Sequence, residues 1–163
     1  MPTTVMKASV VVLATIVAAC TRDRPPAPDW QRVESPSGFS FYVPPNAQPT
    51  SAQGIDSEAR EFIAPSMRLV VDYGPFGGLP RGTDLTSYVR DSTEIGGRRA
   101  LTMRAERPAT ELPHVAAVQF APEAVERPEE PRPAPSVLLM SAECRTLAAC
   151  DTARIVFRTV RFK

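Results

Sequence analysis

Met67-Arg-Leu-Val-Val-Asp-Tyr73 places Met67, Leu69, Val71 and Tyr73 at alternate positions, the period of two expected of a strand with one face in a core. It is the clearest strand in the chain, and the segments on either side are read outward from it. Upstream, Glu58 to Ile63 is a second extended run, preceded by a polar stretch and the breaker Pro44-Pro45. Before those prolines, Trp30–Glu34 and Phe39–Val43 flank Ser35-Pro36-Ser37-Gly38, whose Ser at i, Pro at i+1 and Gly at i+3 suit a type I turn in an opening hairpin. Downstream, Gly74 to Gly82 holds four glycines and two prolines in nine residues and reads as a loop. Thr83 or Asp84 can then cap a short helix with Leu85, Tyr88 and Val89 at i, i+3 and i+4, closed by Gly96-Gly97. Three more alternating runs follow: Arg99–Glu106 with Leu101 and Met103, His114–Phe120 with Val118 and Phe120, and Val137–Glu143 with Leu138 and Met140. Ala153, Val156, Phe157 and Val160 then recur at helical spacing, and Arg161-Phe162 can turn extended. The expected fold is α+β: an antiparallel β-sheet of about six strands flanked by two helices.

The ends of the chain read differently. Of 163 residues, 43% are hydrophobic and 23% charged, which excludes wholesale disorder despite 18 prolines. Nineteen basic residues against 18 acidic ones give +1, so no global field selects nucleic acid. Residues 1–19 have the order of a signal peptide: Lys7, then an apolar run from Ala8 to Ala19. Twelve helical residues span roughly 18 Å, too short for a hydrocarbon core of about 30 Å. Val17-Ala18-Ala19-Cys20 resembles the lipobox of bacterial lipoproteins, in which the cysteine thiol carries a diacylglycerol. That resemblance implies lipidation at Cys20 and a membrane contact through the lipid alone, held firmly by two or three acyl chains. Thr21 stands where the inner-membrane retention signal of such lipoproteins has Asp, which implies the outer membrane, facing the periplasm. Residues 20–29 are a proline- and charge-rich tether, and 30–163 form one domain interrupted by Pro122–Pro135, with five prolines and four glutamates in 14 residues.

With Cys20 acylated, Cys144 and Cys150 remain as an even pair in an oxidising compartment, and a structural disulfide is expected between them. Its short loop is worth roughly 2 kcal/mol by chain entropy. One histidine and two oxidised thiols cannot furnish a zinc site, and no carboxylate-rich calcium loop is present, so neither metal nor cofactor is expected. A serine hydrolase would have only His114 as base, and there is no G-x-S-x-G elbow. Asp72, Asp84 and Glu94 could in principle supply a carboxylate pair, but spacing alone selects none of them, and no catalytic residue is assigned. Two surfaces could meet a partner. Tyr73, Phe76, Leu79 and Arg81 combine aromatic and guanidinium types common at interface hot spots, against the plainer reading of loop packing. Arg154, Arg158 and Arg161, joined by Arg98 and Arg99, form a stripe that is otherwise a solvated helix face.

The opening S-P-S-G-F-S-F-Y-V-P hairpin, G-I-D-S from Gly54, V-D-Y-G, I-G-G-R-R-A-L and the terminal A-R-I-V-F-R-T-V-R-F follow an order that resembles the PsbP-like superfamily across residues 30–163. That group includes photosystem subunits, a Ran-binding import factor, envelope lipoproteins and type VI effector chaperones. The resemblance implies an α/β/α layered sheet and a non-catalytic binding or assembly module with an envelope protein partner. A small apolar-ligand carrier and a small envelope hydrolase are the competing expectations.

Overall fold

The computed structural model describes residues 25–52, 54–121 and 136–163, which form ten strands and one helix. In chain order these are β1 (Gln31–Glu34), β2 (Phe39–Val43), β3 (Gln48–Pro49), β4 (Glu58–Ala64), β5 (Met67–Gly74), β6 (Thr86–Ile95), β7 (Arg98–Glu106), β8 (His114–Phe120), β9 (Val137–Cys144), α1 (Leu147–Arg158) and β10 (Arg161–Phe162). The leader with Cys20 and the Pro122–Pro135 loop lie outside the described residues. One antiparallel sheet has seven strands in the order β3-β4-β5-β9-β8-β7-β6; the other has three, β1-β2-β10.

This overturns the expected sheet of about six strands between two helices. The described residues are mostly strand, and their single helix lies on one face of the large sheet, beside the small sheet. The helix expected from Leu85, Tyr88 and Val89 is instead the start of β6. Three apolar residues within five positions do not separate a helix from an extended chain, and the decisive signal was Gly96-Gly97. Both glycines have positive φ, +59° and +77°, as the central pair of a two-residue hairpin turn requires, and they fold β6 onto β7 instead of ending a helix. A Cβ on Gly96 would sit 2.5 Å from the Val160 carbonyl oxygen, so the turn can lie against the end of α1 only as glycine.

The alternation at Met67–Tyr73 is realised in β5. Met67, Leu69 and Val71 join Leu138, Met140 and Ala142 of β9 and Ala116, Val118 and Phe120 of β8 in the main core. The small sheet closes that core with Phe39, Phe41 and Val43, and Phe41 meets Phe62 edge-on at 5.9 Å. Each such fully buried side chain contributes about 1.5–3 kcal/mol. The two sheets are also joined through Glu58, whose carboxylate accepts from the Ser35 and Ser37 hydroxyls, both at 2.7 Å. Burial opposes its ionised form, but these two hydroxyls and Arg60 outweigh it, holding the carboxyl below its usual range.

Thr146 caps α1, its hydroxyl accepting from the Ala149 N–H at 3.2 Å. At the other end the Thr159 hydroxyl donates to the Val156 carbonyl at 2.6 Å and accepts from the Tyr42 N–H at 2.9 Å, which ties the helix terminus to β2. The chain then extends as β10 along β2. Cys144 at the end of β9 and Cys150 in α1 form the disulfide, with Cα atoms 5.5 Å apart.

Candidate functional site

A helix about 10 Å across covers two or three strands spaced about 4.8 Å apart. α1 packs chiefly over β8, β9 and β5, which leaves most of β7 and β6 uncovered, although Ala100 and Ile95 near the turn are still in the main core. The consequence shows in the cross-sheet rows on the helix side. Val71, Met140 and Val118 lie in one row, which continues through Thr102 to Asp91. Leu69, Ala142 and Ala116 lie in the next, continuing through Arg104 to Val89. Each row is apolar under the helix and changes character at β7, where water reaches the sheet. The result is an open groove with one flank of α1 as its wall and the outer strands as its floor.

The groove has a larger part of about 750 Å³ toward the Gly96-Gly97 turn and a smaller part of about 240 Å³ toward the start of α1. Val89, Arg104 and Arg154 border both, so the two are continuous. Four arginines line the larger part, Arg104, Arg154, Arg158 and Arg161, against Asp91 and Glu94. Arg154 pairs with Asp151 at 3.2 Å, and Arg161 donates to the carbonyls of Arg158 and Val160. Arg104 and Arg158 pair with no carboxylate among the described residues, so two guanidinium groups remain available to an anionic group.

The smaller part contains His114 and Glu106. His114 Nδ1 is buried without a hydrogen bond and stands 4.0 Å from Glu106 Oε1. That exceeds hydrogen-bond reach, so among the described residues Glu106 does not hold the imidazole Nδ1. The three carboxylates considered for acid–base chemistry are dispersed over β5 (Asp72), the loop before β6 (Asp84) and β6 (Glu94). Asp84 is engaged by Arg107 at 2.6 Å, and Arg107 also bonds Glu143.

The structure does not bring Tyr73, Phe76, Leu79 and Arg81 together as one surface. Tyr73 packs on Phe39 at 5.7 Å against the main core. Leu79 is buried with Met103, Ala105, Val115 and Ala117 in a second cluster, and its N–H donates to Gln119 Oε1 at 3.3 Å. Those strand residues alternate with the main-core set, so this cluster lies on the opposite face of the sheet. Phe76 is 84% exposed, and Arg81 is also exposed. Of the arginine stripe, Arg154, Arg158 and Arg161 line the groove, while Arg98 lies over the Phe162 ring at 3.9 Å and Arg99 is exposed. Sequence reasoning missed Thr102, Arg104, Asp91 and Thr93. The available signal was the polar set interleaved with Leu101, Met103 and Ala105 along β7.

Fold and groove together define a small antiparallel two-sheet domain with an open, arginine-lined cleft walled by its one described helix. Comparison of the sequence with protein-family models and with curated proteins gives no match.

Proposed function

We propose that the chain is a lipid-anchored envelope lipoprotein, tethered through Cys20 at the periplasmic side of the outer membrane, whose domain is a non-catalytic module that holds a protein partner in the groove beside α1. The observation that carries the reading is the change of the cross-sheet rows from apolar to polar at β7, which leaves a charged floor uncovered. The lipobox-like V-A-A-C after an apolar run supports the anchor, and the order of the quoted motifs supports a PsbP-like kinship. A small apolar-ligand carrier would need an enclosed apolar cavity, whereas the cleft beside α1 is open and lined by arginine, threonine and aspartate.

Purification of the tagged full chain from gently solubilised membranes tests the reading. The double variant Arg104→Glu, Arg158→Glu is expected to lower recovery of the partner at least tenfold, with Phe76→Ala leaving it unchanged. Equal recovery by the groove variant and wild type would refute the groove; loss with Phe76→Ala alone would return the site to the loop.

A further inference from the structure

The two edges of the seven-stranded sheet differ. One is β3, two residues long and containing Pro49, which offers little ladder to a newcomer. The other is β6, ten residues long, without proline, paired among the described residues only with β7, and exposed at nine of its ten positions. Its register is irregular between Thr86 and Val89, where Ser87 has φ +51°, and regular from Val89 to Ile95. The regular stretch is therefore seven residues with Ser92 at its centre.

We propose that β6 is a homodimer edge: two copies of this chain pair antiparallel through Val89–Ile95 about a two-fold axis at Ser92, joining their large sheets into one. A two-fold axis perpendicular to a sheet keeps each residue on its own face, so residues of equal parity stand opposite one another. Centring on Ser92 then sets Asp91 against Thr93, Arg90 against Glu94, and Val89 against Ile95, each twice. The first pair lets a hydroxyl donate to a carboxylate. The second is a direct cross-strand ion pair on the face away from α1. The third places Val89, 49% exposed, beside Ile95, which is already in the main core.

Moving the axis destroys this match: centring on Asp91 or Arg90 puts like charges directly opposite each other, and centring on Thr93 separates Arg90 from Glu94. In the single chain Arg90 and Glu94 make no ion pair among the described residues, although Glu94 stands opposite Arg99 in the ladder. Two opposite charges four positions apart, symmetric about the centre of an edge that no other described strand covers, are complementary to a second copy; the Ser92 N–H at that centre donates to Asp91 Oδ1 at 2.7 Å in the single chain and is released from it on pairing. The irregularity at Ser87 interrupts the regular ladder before Val89, which limits the regular edge to Val89–Ile95. The inference goes beyond the partner groove: it uses the backbone edge of β6, although Val89, Asp91, Thr93, Glu94 and Ile95 on that strand also line the groove.

The test uses the full chain in its membrane, treated with a short bis-maleimide. Ser92→Cys is expected to give a covalent dimer as the main product, scored against wild type to account for native thiols. Ser51→Cys, beside the β3 edge, is expected to remain monomeric. In the Ser92→Cys background, Arg90→Glu or Glu94→Arg alone should lower the cross-linked fraction roughly tenfold, because two attractive pairs become repulsive. The two charge reversals together should restore it to within about twofold. A Ser92→Cys chain that stays monomeric, a double reversal that fails to restore pairing, or equal cross-linking at Ser51 would each overturn the proposal. Partner recovery through the groove is measured separately, so failure of one leaves the other legible.

Discussion

The two halves of the large sheet are built from similar strands but occupy different solvents. β5, β9 and β8 lie beneath α1 and the small sheet, and their helix-side residues are almost wholly excluded from water. β6 and β7 continue the same ladder, yet apart from Ile95 and Ala100, which stay in the core near the Gly96-Gly97 turn, their helix-side residues are Val89, Asp91, Thr93, Thr102 and Arg104. Hydrogen bonding runs through both halves, while helix-side burial falls away between them except at Ile95 and Ala100. Stability is therefore concentrated in the covered half, and the surface available for recognition in the open half.

Truncation separates the halves most sharply. Leu69→Ala or Met140→Ala removes a fully buried side chain under the helix and is expected to cost about 2–5 kcal/mol in chemical denaturation. Val89→Ala, on the open strand, is expected to change stability by no more than about 0.5 kcal/mol. Comparable losses at Leu69 and Val89 would mean that the outer strands are covered after all.

A smaller effect is expected at the disulfide. Cys150→Ala releases the link between the end of β9 and α1, and a loop of this length contributes about 2 kcal/mol by chain entropy. The same variant should loosen the groove wall, read as faster amide exchange in α1 than in β5. Unchanged stability and exchange would show that the packing of Ala153, Val156 and Phe157 alone fixes the helix.

Much of the covered half was legible from residues. Met67, Leu69, Val71 and Tyr73 recur at alternate positions, the spacing of a strand; Cys144 and Cys150 were an even pair at short range; Val156 and Phe157 lie on the buried side of a helix that begins earlier, at Leu147, under a threonine cap. The open half was not legible in the same way. Thr86–Glu94 has no strict apolar face because both its sides are exposed and only Ile95 at its end reaches the core, so the periodicity that marks strands is absent there. Leu101 and Met103 showed that β7 has a buried side, but not that this side lies opposite Met140. Thr102 and Arg104 acquire meaning only once the sheet is seen to outrun its helix, a matter of width that one-dimensional spacing does not encode. The scattered fate of Tyr73, Phe76, Leu79 and Arg81 has the same origin, since neighbours in a loop were carried to opposite faces of the sheet.

The central claim, that the groove floor beyond α1 is where a partner sits, is tested most directly by photo-cross-linking in intact cells with a benzophenone amino acid at Thr102, compared with one at Phe76. A single adduct of defined mass from Thr102, lost in the Arg104→Glu, Arg158→Glu background, is the expected result. An adduct from Phe76 with none from Thr102 would contradict it.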